Sequence, residues 1–247
     1  MKAWVIICSL MIAFVFPAYA DFPELAFVCD DFPPFAYSEN GHVTGFSVEI
    51  LRTILKELHV QDTIKIHPWA RAYQTVLSNK NSAIFTMARN EEREHQFKWV
   101  GPIAPRNINL YKLKRRTDIK IRNFQDARNY TVGTIIGYAA EKELLNKGFE
   151  PGKNLESVST NVQNIRKIYA DRIDLIASFD YLIAYTVKGT KYALGDFEKV
   201  LVLSDKYDFY YAFNKKTDDA VVSSFQSALD RMKADGRYNA LMNKYLQ

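Results

Sequence analysis

Residues 31–37 read Asp31-Phe32-Pro33-Pro34-Phe35-Ala36-Tyr37, closing the apolar run 25–30 and followed by Gly41, Gly45-Phe46 and an amphipathic stretch. Each proline fixes φ at about −65° and removes an amide donor, so strand pairing stops there and the aromatic residues are left on a stiff loop at the strand's C-terminal end. In an open α/β sheet that end is where small ligands bind. The plain alternative is a surface turn carrying two buried phenylalanines.

Outward from this loop, strand and helix patterns alternate. Residues 25–30 read as a strand, and 46–58 carry Leu51, Ile54, Leu55 and Leu58 at helical spacing. Residues 63–67 alternate, 70–77 place Tyr73, Val76 and Leu77 on one helical face, and 83–87 form an apolar strand. This βαβαβ order predicts a mostly parallel sheet covered by helices on both faces. A strand at 108–114 leads to a second set: strands at 130–134, around Ser157 and at 174–178, helices at 139–146, 162–170 and 181–187, with Gly148 and Gly189 as stops. The tail returns to the first style, with strands at 200–203 and 209–213. A long helix follows, capped by Thr217, bearing Val221, Phe225, Leu229 and Met232 on one face and stopped at Gly236, and then a final helix at 238–245.

The N-terminus has the form of a secretory signal. Lys2 supplies the positive charge, residues 5–16 an apolar run too short to span a bilayer, and Ala18-Tyr19-Ala20 a cleavage site, so the mature chain is expected to begin at Asp21 and to be periplasmic. No further apolar run approaches membrane-spanning length. Cys8 leaves with the signal, and Cys29 remains alone, a small apolar group inside a strand. Without Lys2 the balance is 32 basic to 28 acidic residues, spread along the chain apart from Lys112-Leu113-Lys114-Arg115-Arg116. No basic-plus-aromatic pattern points to nucleic acid. The four histidines are scattered and none has metal-ligand spacing; nucleophile-elbow, phosphate-loop and dinucleotide fingerprints are missing, so no cofactor or metal is expected.

Residues 86–93, Thr86-Met87-Ala88-Arg89-Asn90-Glu91-Glu92-Arg93, join the end of the third strand to an expected helix start, followed by Phe97-Lys98-Trp99-Val100-Gly101-Pro102. Free amides at such a start and an arginine one turn on would make an anion clamp. Arg93 reads equally as half of a surface salt bridge with a neighbouring glutamate. Pro68-Trp69-Ala70-Arg71 opens the second helix, where Trp69 and Arg71 would face the cleft or serve as half-buried packing. Phe32, Tyr37 and Trp69 could together box an apolar or cationic ligand part.

Taken together, these segments resemble the family 3 solute-binding proteins, the bilobal receptors of amino-acid uptake, and within them a subgroup carrying Pro-Trp-Ala-Arg. The resemblance runs over the whole mature chain. It implies a two-lobed, type II periplasmic-binding-protein-like α/β fold, with residues 21–104 and 208–247 in one lobe and 105–207 in the other, the crossings falling near 103–107 and 205–209. It also implies a monomer that closes on a small ligand and docks on a membrane permease or sensor domain. By resemblance, Thr86 and Ala88 offer backbone groups to the ligand and Arg93 pairs with its carboxylate. The second lobe departs from the family. The usual Gly-Thr is Gly137-Tyr138, and the ammonium-binding aspartate position is Phe179, with Asp180 one residue on. Gly137, Tyr138 and Asp180 are therefore the expected second-lobe contacts, and without the family's aspartate an α-ammonium left uncompensated in a closed cleft would be costly. Related periplasmic dehydratases use a cleft carboxylate with an arginine clamp; here Asp31, Glu49 and Asp180 are the candidates, and the expectation is a binding protein that is not an enzyme.

Overall fold

The computed structural model describes residues 22–246; the expected signal segment 1–20 lies outside the described residues. In chain order the elements are β1 (Ala26–Cys29), β2 (Tyr37–Glu39), β3 (His42–Thr44), α1 (Phe46–Leu58), β4 (Lys65–Ile66), α2 (Trp69–Ser78), β5 (Ser82–Ala88), β6 (Phe97–Pro105) and β7 (Ile108–Leu113). They continue with α3 (Phe124–Ala127), β8 (Val132–Ile135), α4 (Ala139–Asn146), β9 (Leu155–Val158), α5 (Asn161–Tyr169), β10 (Leu175–Ser178) and α6 (Asp180–Val187). After a 3₁₀ turn, β11 (Phe197–Ser204), β12 (Asp208–Asn214), α7 (Asp219–Ala234) and α8 (Arg237–Leu246) complete the chain.

Two five-stranded sheets result, in the orders β4-β1-β5-β12-β6 and β11-β7-β10-β8-β9. Each is mixed. In the first, β1 runs parallel to β4 and β5, while β12 is antiparallel to both β5 and β6. In the second, β8 is parallel to β9 and β10, while β7 is antiparallel to β10 and β11. Parallel pairing follows where a helix carries the chain back across the sheet, and antiparallel pairing arises at the strands that enter from or leave for the other sheet. Those crossings are Arg106-Asn107, between β6 and β7, and residues 205–207, between β11 and β12.

The first core is aromatic. Phe225 of α7 packs against Phe22, Phe27 and Phe213 with ring centroids 6.2, 5.7 and 5.1 Å away, on a stripe that buries Val221, Leu229 and Met232 against the first sheet. The cap of α7 is Asp218 in place of the expected Thr217: its carboxylate accepts the Ala220 N–H at 2.8 Å, whereas the Thr217 hydroxyl is buried without a partner and its carbonyl accepts Lys98 Nζ at 2.7 Å. A carboxylate reaches the N2 amide and meets the positive end of the helix dipole, so it displaces the hydroxyl. Residues 91–96 also differ from the expected helix. They form a string of turns, with the Arg93 and Glu94 amides donating to the Asn90 carbonyl, because β6 begins at Phe97 and leaves no room for a full helix. Cys29 is fully buried, and burial beside Asp30 and Asp31 pushes its thiol up to about 12, which fits the small-apolar reading.

Loop 31–37 is held from both sides. The Phe35 and Ala36 amides donate to the Phe32 carbonyl, and the Phe46 and Ser47 amides of α1 donate back to the Pro34 and Phe35 carbonyls. The hairpin β2–β3 turns at Asn40-Gly41 with φ of 51° and 79°, the left-handed pair that a tight hairpin needs. Gly45 precedes α1 at φ 121°, where an added Cβ would sit 2.5 Å from the Phe35 carbonyl oxygen. The loop can approach the helix start only over a residue without a side chain. Gly45→Ala is therefore expected to destabilise the protein by more than about 1 kcal/mol, read as a lower urea midpoint at unchanged slope; an unchanged midpoint would show that the loop does not depend on this contact.

Candidate functional site

A cavity of about 290 Å³ lies between the two sheets, at the C-terminal ends of β1 and β5. Its first-lobe wall is built from Asp30, Asp31, Phe32, Trp69, Phe85, Thr86, Ala88, Arg93 and Phe209; Tyr138, Ala139 and Phe179 close it from the second lobe, and Arg106 lines it from a crossing. The walls are mainly rings. Phe32 stands 5.9 Å from Phe209, 6.4 Å from Tyr138 and 6.4 Å from Phe179 between centroids, in edge-to-face contacts that favour a fixed wall.

Thr86 owes its place to a β-bulge. In the pairing of β12 with β5, Tyr210 faces Met87 and Tyr211 faces Phe85, so Thr86 is the extra residue. It adopts φ 61°, in the left-handed region, and its buried hydroxyl has no hydrogen-bond partner. A bulge bends the strand and re-aims a side chain, and a β-branched residue held in this region marks a strained, over-determined position at the cavity wall.

Arg93 is fixed without an acid. Its Nη1 donates to the Ala88 carbonyl at 3.3 Å, and its guanidinium carbon lies 5.4 Å from the Trp69 ring and 5.9 Å from Tyr73. The neighbouring Arg89 takes Glu94 in a two-nitrogen pair at 2.5 and 2.7 Å and is itself flanked by Trp99 and Tyr210, while Glu91 accepts the Tyr207 hydroxyl at 2.8 Å. Among the described residues no carboxylate comes within 4 Å of the Arg93 guanidinium, so the surface salt bridge that the sequence also allows is not formed. The arginine is pre-positioned on the cavity wall by ring faces and one carbonyl.

Of the residues singled out in the sequence, Phe32, Trp69, Thr86, Ala88, Arg93 and Tyr138 come together on this wall. Four do not. Tyr37 packs edge-on against Tyr185, 5.4 Å away. Arg71 is exposed on α2, because two steps along a helix turn its side chain by about 200° from Trp69. Gly137 is exposed and donates its N–H to Glu141 Oε2 at 2.6 Å. Asp180 accepts the Tyr111 hydroxyl and sits 3.3 Å from Lys199 Nζ, away from the cavity; the one-residue offset at this strand-to-helix junction puts Phe179 on the wall instead. Asp30, Phe85, Arg106 and Phe209 are wall residues that the sequence reading passed over. Asp31 and Phe179 were noted there only as a candidate acid and as a departure from the family pattern. Asp30 carries the clearest electrostatic signature: burial raises its carboxyl, and the Asp31 N–H, donated at 2.9 Å, offsets this in part together with the Trp69 backbone N–H at the start of α2. Glu49 is engaged elsewhere, held by Lys244 Nζ at 2.7 Å and by the Tyr245 hydroxyl at 2.5 Å.

The chain's likeness to known proteins bears on this geometry. The family model of the bacterial extracellular solute-binding proteins, family 3, matches residues 26–247. A probable amino-acid-binding protein of Bacillus subtilis is 26% identical over 219 residues, covering 86% of this chain and 79% of that one. The histidine-binding periplasmic protein of Escherichia coli is 25% identical over 260 residues, covering 99% and 97%. Among solved structures, an ancestral cationic amino-acid solute-binding protein superposes with a TM-score of 0.74 at 22% identity, covering 91% of this chain and 96% of that one. A histidine kinase sensor domain with similarity to periplasmic binding proteins superposes with 0.62 at 19%, covering 90% and 96%. These structures share the two-lobed, type II periplasmic-binding-protein-like fold. With the family match spanning nearly all of the chain, this protein is a member of the bacterial extracellular solute-binding proteins, family 3.

Proposed function

We propose that the protein captures a small, carboxylate-bearing ligand of amino-acid type in the cavity between its lobes and presents the closed form to the permease of an ABC-type transporter. In this reading it is exported to the periplasm by residues 1–20 and works as a monomer without a cofactor, with residues 21–104 and 208–247 as one lobe and 105–207 as the other. The observation that carries it is Arg93, a guanidinium held on the cavity wall by Trp69 and the Ala88 carbonyl with no acid of its own. Relatives named for histidine, arginine and cystine binding support the ligand class. Ligand binding would favour closure only through contacts made in the closed state. Phe32, Thr86 and Ala88 would form the floor, with Trp69 beside them and Tyr138 and Phe179 as the cover; an ammonium would meet Asp31, replacing the second-lobe aspartate of the family.

A neighbour described as the precursor of cyclohexadienyl dehydratase keeps a second reading in view, that of an enzyme on the same fold. Of the three acids that such chemistry could have used, Glu49 and Asp180 are tied to other partners, and only Asp31 faces the cavity, beside the half-buried Asp30. The binding reading is favoured because the wall is rigid and aromatic and offers holding groups.

Thermal-shift screening of the protein against the common amino acids and small dicarboxylates identifies the ligand, since a ligand at a hundred times its Kd adds roughly 2.7 kcal/mol. Arg93→Ala is expected to weaken the best ligand by about 2–5 kcal/mol in calorimetric titration, and normal binding would refute the assignment. Asp180→Ala is expected to lower stability by about 1–3 kcal/mol, by stripping a charged partner from the Tyr111 hydroxyl, while leaving affinity within about threefold; a large loss of affinity would return Asp180 to the site. Prolonged incubation followed by mass spectrometry is expected to return the ligand intact. Steady product formation, lost on Asp31→Asn or Asp30→Asn, would move the reading to the enzyme.

A further inference from the structure

Arg106 occupies the first crossing between the sheets, and its side chain lines the same cavity as Arg93. It is half-buried, and among the described residues its guanidinium has no carboxylate within 4 Å and no side-chain hydrogen bond. The charged or titratable groups that act on it are few. Glu143 of α4 attracts it from beyond ion-pair distance, Arg93 repels it, and the hydroxyl of Tyr207, on the second crossing, is already given to Glu91 at 2.8 Å. Two guanidinium groups thus line one small volume, and among the described residues neither is paired with a carboxylate. Removing two like charges from water into a shared, ring-lined space is unfavourable unless a partner of opposite charge joins them.

Two acids, Asp30 and Asp31, share the wall, and among the described residues neither comes within 4 Å of either guanidinium. Asp30 is committed to backbone amides, accepting the Asp31 N–H and facing the Trp69 N–H at the start of α2. That leaves Asp31, whose side chain has no such tie, to receive a cation. The groups free to meet a ligand are therefore two cationic forks and one carboxylate.

We infer that Arg106 is a second ligand anchor, and that the ligand carries two acidic groups and one ammonium, as in an acidic amino acid or a longer amino dicarboxylate. The inference rests on the binding reading above and deepens it: Arg93 takes one carboxylate, Asp31 the ammonium, and Arg106 the second carboxylate from the hinge side. An anchor on a crossing touches the ligand from the segment that must bend when the lobes close. The second acidic group would then couple ligand charge to closure as well as to affinity.

The test is calorimetric titration of the whole protein, wild type and Arg106→Gln, with L-glutamate, L-2-aminoadipate, L-glutamine, L-arginine and glutarate. The wild type is expected to bind one of the two acidic amino acids at least about tenfold more tightly than L-glutamine or L-arginine, and more tightly than glutarate, which lacks the ammonium. Arg106→Gln is expected to lose about tenfold or more for the acidic ligand while L-glutamine changes by less than about threefold. Arg106→Lys, run in parallel and checked by circular dichroism, keeps the charge without the fork and is expected to fall between the two. If L-glutamine or L-arginine binds best, or if both Arg106 variants bind the acidic ligand as the wild type does, the inference is overturned while the binding reading stands. Failure of every probe to bind the wild type would overturn the inference, and an empty thermal-shift screen over the common amino acids and small dicarboxylates would overturn the binding reading as well.

Discussion

The pairing of β12 is the constraint on which the rest of the structure depends. After a long excursion through the second sheet, residues 208–214 insert between β5 and β6, with Phe209 opposite Ala88 on one side and Ala104 on the other. That register satisfies the backbone groups of two strands at once and sets Phe209 under Phe32 and Phe35, at 5.9 and 5.0 Å. It also forces the bulge at Thr86, since Tyr210 and Tyr211 skip that residue, and it fixes Tyr211 in the core with its hydroxyl donating to the Ser47 carbonyl. A one-residue slip would turn Phe209 out of the cavity floor and bury its polar neighbours. Floor, bulge and hinge are thus consequences of one strand finding one slot.

The regular elements were legible because their signals are local. The helix 46–58 follows from the spacing of Leu51, Ile54, Leu55 and Leu58, and α4 from a short apolar pattern before Gly148. On the site, the ends of β1 and β5 were legible for the same reason: Pro33-Pro34 and the Thr86–Arg93 run both sit where strand patterns stop. The remainder depends on partners distant in sequence. Strand β6 alternates poorly, with Val100, Ile103 and Ala104 buried and Pro102 exposed, because its pairing with β12 is irregular. Phe209 and Arg106 look like ordinary strand and linker residues until the sheets are assembled. Asp180 shows the opposite failure. Its position was nearly that of a family contact, but a strand-to-helix junction converts one residue of offset into a different direction, and a buried tyrosine on the adjacent strand captured the carboxylate.

Two neighbouring arginines are held in different ways. Arg89 and Arg93 are four residues apart, one just before the string of turns and one within it, and both lie against aromatic faces. Glu94 pairs with Arg89, across an exposed surface where such a pair adds at most about 1 kcal/mol. Its larger effect is indirect: Glu94, adjacent to Arg93 in sequence, is occupied by Arg89 instead. A guanidinium with an internal partner would have to break that bond before meeting a ligand, whereas one resting on Trp69 and a carbonyl oxygen meets it with little rearrangement.

Closure is built from the same aromatic material as the floor. Tyr181 of α6 is almost wholly buried against Phe35 and Phe46, with centroids 5.4 and 5.8 Å away, so a second-lobe residue completes the first-lobe core. Tyr185 meets Tyr37 on the next turn of the same helix. Loop 31–37 therefore carries rings on two sides: Phe32 toward the cavity, and Phe35 and Tyr37 toward α6. Ring contacts outside the cavity thus join α6 to this loop without involving the two guanidinium groups inside it. A ligand can shift such an arrangement only by contacts that differ between two placements of the sheets, and the groups placed for them are those of the cavity wall rather than the rings packed on α6.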